Sequence, residues 1–112
     1  MPKLSGKNAL VTGASSGIGE AIAIRFAEEG ANVAINYNSG ADRAQAVKSK
    51  VREAGTAAGH SPKAVTVQAD VSNEQQVQRM FAEVLDALGS IDILVNNSGI
   101  QKPVPSLSLI HI

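Results

Sequence analysis

One stretch near the N-terminus restricts what this chain can become more than any other: Leu10-Val11-Thr12-Gly13-Ala14-Ser15-Ser16-Gly17-Ile18-Gly19. The apolar run Ala9, Leu10, Val11 reads as a short buried strand, Gly13 turns the chain, and a helix-forming segment begins after Gly17. A strand that passes through a glycine-rich turn into a helix makes an anion site. The opening N–H groups of the helix lack acceptors, and the helix dipole adds about half a positive charge there. The three glycines differ in what they allow. Gly13 lets the chain leave the strand sharply, Gly17 removes bulk where a pyrophosphate would approach, and Gly19 allows tight helix–strand contact. Ser15 and Ser16 are better suited to phosphate hydrogen bonding than to nucleophilic attack, because no partner base is placed for them. The spacing is G-x-x-x-G-x-G and not G-x-G-x-x-G, and without a following Gly-Lys-Ser/Thr it is not a P-loop.

The rest of the chain repeats the strand-then-helix pattern. Asn8–Thr12 is expected as the first strand. The helix after Gly17 carries Ile18, Ile22 and Phe26 at four-residue intervals and stops at Gly30. Asn32–Tyr37 reads as a second strand, Ala41–Ala54 as a helix facing Ala44, Val47, Val51 and Ala54 inward, and Ala64–Gln68 as a third strand. Ser72 and Gln75 suggest a capping box. Val77, Met80, Phe81, Val84, Leu85 and Leu88 then form a helical stripe that Gly89 ends, and Ile91–Val95 is the fourth strand. Such alternation calls for parallel strands joined by crossovers: an α/β, Rossmann-type, doubly wound parallel sheet in spatial order 3-2-1-4, ending after its fourth strand. With 112 residues, one domain at most fits.

Ligands of such sheets bind beyond the carboxyl ends of the strands. There the sequence places the glycine turn, then Asn36, Tyr37, Asn38 and Ser39, then Asp70 and Val71, then Asn96, Asn97, Ser98 and Gly99. All four strand ends carry small or hydrogen-bonding residues suited to a nucleotide. The charges balance, ten acidic against ten basic, which offers no reason to expect nucleic acid or an anionic membrane as partner. No cysteine is present for a disulfide framework or thiolate metal site, and His60 and His111 each lack a second ligand at metal-binding spacing. No signal-peptide core or membrane-length run occurs, so a cytoplasmic protein is expected.

Thr12-Gly13-x-x-x-Gly17-x-Gly19 resembles the cofactor motif of the short-chain dehydrogenase/reductase family. Asp70-Val71 resembles that family's Asp-Val pair, which implies a carboxylate accepting from the adenine amino group and a neighbour packing on the ring. On sequence alone, Asp70 also reads as an N-terminal charge favouring the third helix. Asn96-Asn97-Ser98-Gly99 resembles its Asn-Asn-Ala-Gly, with Ser98 in place of alanine, which implies a segment lining the nicotinamide ribose. The cofactor-binding set on this reading is Gly13, Ser15, Ser16, Gly17, Ile18, Gly19, Asn36, Tyr37, Asn38, Asp70, Val71, Asn96, Asn97, Ser98 and Gly99. An acid after the second strand would favour NAD and repel a 2′-phosphate. The first acid there is Asp42, and Ser16 stands where many NADP-dependent relatives carry arginine. The reading favours NADP with NAD use left open, and Arg43 is a possible phosphate cation whose ordinary role would be a solvated surface charge.

The resemblance spans residue 5 to about residue 105, less than half of a typical family chain. It implies an oxidoreductase moving hydride between NAD(P) and a small carbonyl or alcohol substrate, and a homotetrameric parent. The family's catalytic serine and Tyr-x-x-x-Lys lie downstream of the Asn-Asn-Ala-Gly segment. The single tyrosine here, Tyr37, is followed four residues later by Ala41. Asn36-Tyr37-Asn38 and Ile100–Pro105 look like the glucose 1-dehydrogenase branch, with the 3-oxoacyl-carrier-protein reductase branch as runner-up. A non-catalytic NAD(P)-binding protein and an S-adenosylmethionine-dependent methyltransferase share the sheet, though Asn36-Tyr37-Asn38 argues against the latter. Residues 1–106 are expected to be the cofactor-binding half. The run 107–112, Leu107-Ser108-Leu109-Ile110-His111-Ile112, resembles a translated transposon-end adapter and is expected to be a non-native tail. Strand four would then present a bare apolar edge, and the chain would be poorly soluble.

Overall fold

The computed structural model describes residues 4–14 and 17–97, together with the backbone of 108–111. The element order is β1 (Asn8–Val11), α1 (Gly17–Glu28), β2 (Asn32–Tyr37), α2 (Ala41–Ala57), β3 (Ala64–Gln68), α3 (Glu74–Leu88), β4 (Ile93–Asn96) and β5 (Ser108–His111). Every ladder is parallel, and the sheet order is β3-β2-β1-β4-β5. The expected order 3-2-1-4 is therefore present, with one strand more. Ser108–His111 pairs along Ile93–Asn96, so β4 is not the bare edge expected of it. The backbone N–H and C=O groups on that side of β4 are taken up by the ladder.

Strand alternation sorts the core into two halves, because successive side chains leave a strand on opposite faces. Ala9, Val11, Val33, Ile35, Ile93 and Val95 face α1 and α2. Leu10, Ala34, Val67 and Leu94 face α3 with its Val77, Met80 and Val84. β1 is buried along its whole length, which is why its apolar run is nearly continuous.

Several expectations from periodicity shift on the actual sheet. The inward face of α1 is Gly19, Ala23 and Ala27, while Ile22 and Phe26 are half-buried and Ile18 is 61% exposed. Small residues win that face because α1 lies close on β1 and α2, and large side chains fit only along its flanks. α2 runs a turn further than expected and buries Gly55 in place of Ala54; a Cβ at Gly55 would run into the Pro62 ring. In α3, Leu85 is 47% exposed and lies outside the core stripe. The N-cap of α3 is Asn73 and not Ser72: its side chain accepts from the Gln76 N–H at 3.0 Å. β4 starts at Ile93, two residues later than expected, after Ile91 and Asp92 have packed ahead of it.

At the amino ends of the strands, asparagines stitch the sheet. Asn8 Nδ2 donates to Leu88 O and Ser90 Oγ, and Asn32 Nδ2 donates to Asn8 Oδ1 at 2.8 Å. Asn32 Oδ1 in turn accepts from the Lys63 N–H. That end is closed by protein–protein hydrogen bonds. The opposite end is where the glycine turn lies.

Candidate functional site

The turn after β1 is held from both sides. Thr12 is fully buried, and both its N–H (3.0 Å) and its hydroxyl (3.3 Å) donate to Val95 O of β4. Gly13, at φ 62°, donates its N–H to Asn36 Oδ1 of β2 at 3.0 Å, and its carbonyl accepts from Asn97 Nδ2 at 3.3 Å. Ala14 N–H donates to the main-chain oxygen of Asn36 at 2.9 Å. The N–H groups of Gly13 and Ala14 are thus spent inside the protein. A phosphate must be served by donors further on, at the start of α1, where the dipole is also most positive.

The glycines differ in what a side chain would meet at each. A Cβ on Gly19 would lie 2.5 Å from Gly13 O, 2.8 Å from Asn97 Nδ2 and 2.9 Å from Ala14 Cα. α1 is therefore drawn up against the turn itself. A Cβ on Gly17 would meet nothing within 4 Å, but its φ of 61° is one that other residues avoid. The space before Gly17 is open, and Ile18 beside it is exposed. The turn is thus crowded at Gly19 and uncrowded at Gly17. Ser15, Ser16, Ser98 and Gly99, which belong to the expected set, lie outside the described residues.

The other expected residues fall into two groups. Tyr37 is half-buried and Asn38 exposed, at the open end of β2. Asn36 is 1% exposed, and its amide serves the protein: Oδ1 accepts from Gly13, and Nδ2 donates to Ala69 O (3.2 Å) and Val67 O (3.4 Å). It stands behind the turn and not in front of it. Asn96 is likewise buried, at 2%, while Asn97 is half-buried and grips the turn.

Asp70 follows β3 as expected. Its Oδ1 accepts from the Ser72 hydroxyl at 2.6 Å and from the Ser72 N–H at 2.9 Å, and these two bonds hold its carboxyl below the usual carboxylate range. The Asp70 N–H donates to Gln76 Oε1 at 2.8 Å, and its carbonyl accepts from the Asn73 N–H. Val71 is half-buried beside the α3 face of the core. Asp70 therefore shapes the approach to α3 as well as standing at the carboxyl end of the sheet. Sequence reasoning missed Gln76 and Asn73, although Asn-x-x-Gln carries the signal one residue after Ser-x-x-Gln. It also missed Glu20, whose carboxylate meets Arg43 Nη2 at 3.6 Å and Lys50 Nζ at 3.1 Å.

A model of the short chain dehydrogenase family matches residues 7–110. The chain belongs to that family. Over 96 residues it is 46% identical to a 3-oxoacyl-(acyl-carrier-protein) reductase of Staphylococcus epidermidis, covering 86% of this chain and 37% of that protein. Over 104 residues it is 47% identical to a glucose 1-dehydrogenase of Gluconobacter oxydans, covering 93% and 37%. Among solved structures, a short chain dehydrogenase from Burkholderia cenocepacia in complex with NADP is 47% identical with a TM-score of 0.76, covering 89% of this chain and 38% of that one. A short-chain dehydrogenase/reductase from Serratia marcescens is 43% identical with a TM-score of 0.78, covering 88% and 38%. The chain spans 37% of the length of each curated relative named here. Among its described residues, no group of three His, Cys, Asp or Glu side chains could hold a metal, and no helix is long and apolar enough to cross a membrane. Among the described residues, the glycine turn between β1 and α1 is the part of this short-chain dehydrogenase chain that Thr12, Asn36 and Asn97 hold in place.

Proposed function

We propose that this chain is the cofactor-binding half of an NAD(P)-dependent oxidoreductase that moves hydride between its coenzyme and a carbonyl or alcohol. The observation that carries the reading is the glycine turn: α1 is pressed onto Gly13 and Asn97 at Gly19, while Gly17 and the exposed Ile18 leave the helix start open. The opening N–H groups of α1 would take the diphosphate, and Asp70 with Val71 would take the adenine. Tyr37 and Asn38 would line the adenosine ribose, and Asn97 the nicotinamide side. Asn36 and Asn96 contribute from behind, by holding the strand ends in register. When bound, the coenzyme supplies the hydride or accepts it; this chain's residues bind and orient it.

The favoured coenzyme is NADP. No acid stands at the end of β2 to repel a 2′-phosphate, and the relative from Burkholderia cenocepacia was solved with NADP. Arg43, the cation nearest in sequence, is engaged with Glu20, so a strong phosphate clamp is absent among the described residues and NAD use stays open. A glucose 1-dehydrogenase-like substrate and a 3-oxoacyl thioester are supported equally by the two curated relatives, at 47% and 46% identity. The parent is read as a cytoplasmic homotetramer acting on a small molecule.

The reading is tested by calorimetric titration of the purified chain with NADP+, NAD+ and S-adenosylmethionine. Binding of a pyridine coenzyme, tighter for NADP+, is expected; binding of S-adenosylmethionine alone would sink the assignment. No turnover is expected from the chain itself, since the catalytic Tyr-x-x-x-Lys of the family has no counterpart in it.

A further inference from the structure

We propose that Asn36 is a positioning residue for the coenzyme, a single amide that sets the phosphate turn and the adenine end of the site against each other. The inference rests on the coenzyme reading above and deepens it.

Two separate segments meet on this one side chain. Its Oδ1 accepts from Gly13 N–H at 3.0 Å, which fixes the turn after β1. Its Nδ2 donates to Ala69 O at 3.2 Å and Val67 O at 3.4 Å, which fixes the end of β3 just before Asp70. Its main-chain oxygen accepts from Ala14 N–H at 2.9 Å, and beyond it Ala69 N–H donates to Tyr37 O at 3.0 Å. The residue is 1% exposed, so no water competes for these bonds. The side chain must accept from an N–H at one end and donate to carbonyls at the other, which an amide does at every pH. A chain that needed only packing here would use an apolar residue, as β2 does at Val33, Ala34 and Ile35.

The consequence for binding is specific. Gly13 and Ala14 N–H are withheld from the ligand, and the turn is pulled toward β2, so the donors left for the diphosphate are those that open α1. The same amide holds Ala69, the residue before Asp70, at the distance set by Gly13. Moving either end of the site moves the other.

The test is Asn36→Asp read against pH. A neutral carboxylic acid copies the amide, with a carbonyl for Gly13 N–H and a hydroxyl for Ala69 O. The ionised form turns a second oxygen on Ala69 O and Val67 O, and burial beside carbonyls disfavours it. The introduced acid is thus raised in the folded state: wild-type-like behaviour is retained below the raised value and lost as pH rises through it. Few neighbouring groups confuse the reading. Residues 8–14 carry no titratable side chain, Tyr37 is the one on β2, Asp70 is held ionised by Ser72, and the charged residues Glu74, Arg79, Glu83 and Asp86 of α3 are exposed.

NADP+ affinity is measured for wild type and variant on folded protein, as judged by circular dichroism. Relative to wild type at the same pH, the variant is expected to bind about tenfold more weakly near about pH 8 and to recover to within about threefold near about pH 5. Equal affinity at both pH values, or a loss that acid does not restore in folded protein, overturns the proposal. In wild type, nitrogen-edited NMR should show the Gly13 and Ala14 amides protected and unmoved by NADP+, while those of Gly17, Ile18 and Gly19 shift. A Gly13 amide that shifts as far as these also overturns it. Should wild type bind no pyridine coenzyme, the functional reading falls. The hub itself is then decided by whether Asn36→Asp opens the Gly13 amide to exchange at high pH and closes it at low pH.

Discussion

Gly17 and Gly19 stand two residues apart and are glycine for different reasons. At Gly19 the obstacle is the protein: a methyl group would press on a carbonyl, an amide and a backbone carbon at 2.5, 2.8 and 2.9 Å. At Gly17 nothing is near, and only the backbone angle objects. Gly19→Ala is therefore expected to cost about 1–3 kcal/mol, because α1 must back away from the turn, and to weaken coenzyme binding with it. Gly17→Ala should cost about 1 kcal/mol, the penalty of a left-handed non-glycine residue. Urea denaturation of both variants checks the ranking; an equal or reversed cost would contradict the packing. The asparagines show the same lesson. Asn36, Asn96 and Asn97 look alike in sequence, yet the first two are buried in the sheet and the third is half-exposed with its amide on Gly13.

At the scale of elements, the start of α3 separates two jobs that sequence merges. Asn73 caps the helix, accepting from Gln76 N–H, while Ser72 braces the Asp70 carboxylate with its hydroxyl and its N–H. Asn73→Ala should cost about 1 kcal/mol of stability, as loss of an N-cap does. Ser72→Ala should leave the cap intact and raise the Asp70 pKa back toward the ordinary value, since the serine hydroxyl is the first cause of its depression. Because the folded value is depressed, Asp70 contributes its stabilisation above the ordinary carboxylate pKa and loses it as pH falls through the lowered one. Carbon-detected NMR titration of Asp70 in both variants reads the difference; an unchanged pKa in Ser72→Ala would remove the brace. α1 and α2 are tied by Glu20 to Arg43 and Lys50, pairs exposed enough to add little to stability. Their interest lies in where they hold Arg43.

At the largest scale, the two ends of the sheet differ in which side chains they carry. Asn8, Asn32, Ser90 and Asp92 join the amino ends of β1, β2 and β4 through side chains. The β1 turn, Tyr37-Asn38, Asp70 and Asn97 follow the carboxyl ends of β1, β2, β3 and β4, and Asn97 bonds the turn. The far side of β4 is covered by β5. Removing residues 107–112 should therefore bare the β4 edge, and the shortened chain is expected to form larger species at matched concentration. Size-exclusion chromatography with light scattering reads this directly, and a monodisperse shortened chain would show that β5 protects nothing.

Sequence alone was enough for the first seven elements, their type and order, and for the glycine-rich turn between β1 and α1. Those follow from local periods, glycine spacing and stop signals, which a chain carries wherever it folds. β2 and β3 were legible to the residue because short stretches rich in Val, Ile and Ala end in polar residues on both sides. Tertiary structure alone decided which side of α1 is inward, since helix–sheet distance and not residue size ranked Gly19, Ala23 and Ala27 above Ile18. It decided that Ser108–His111 is a strand, because pairing needs the open edge of β4 and not a strong pattern of its own. Above all it decided the work of Asn36. An amide's two ends find their partners through space, and here those partners lie 23 residues before it and 33 after.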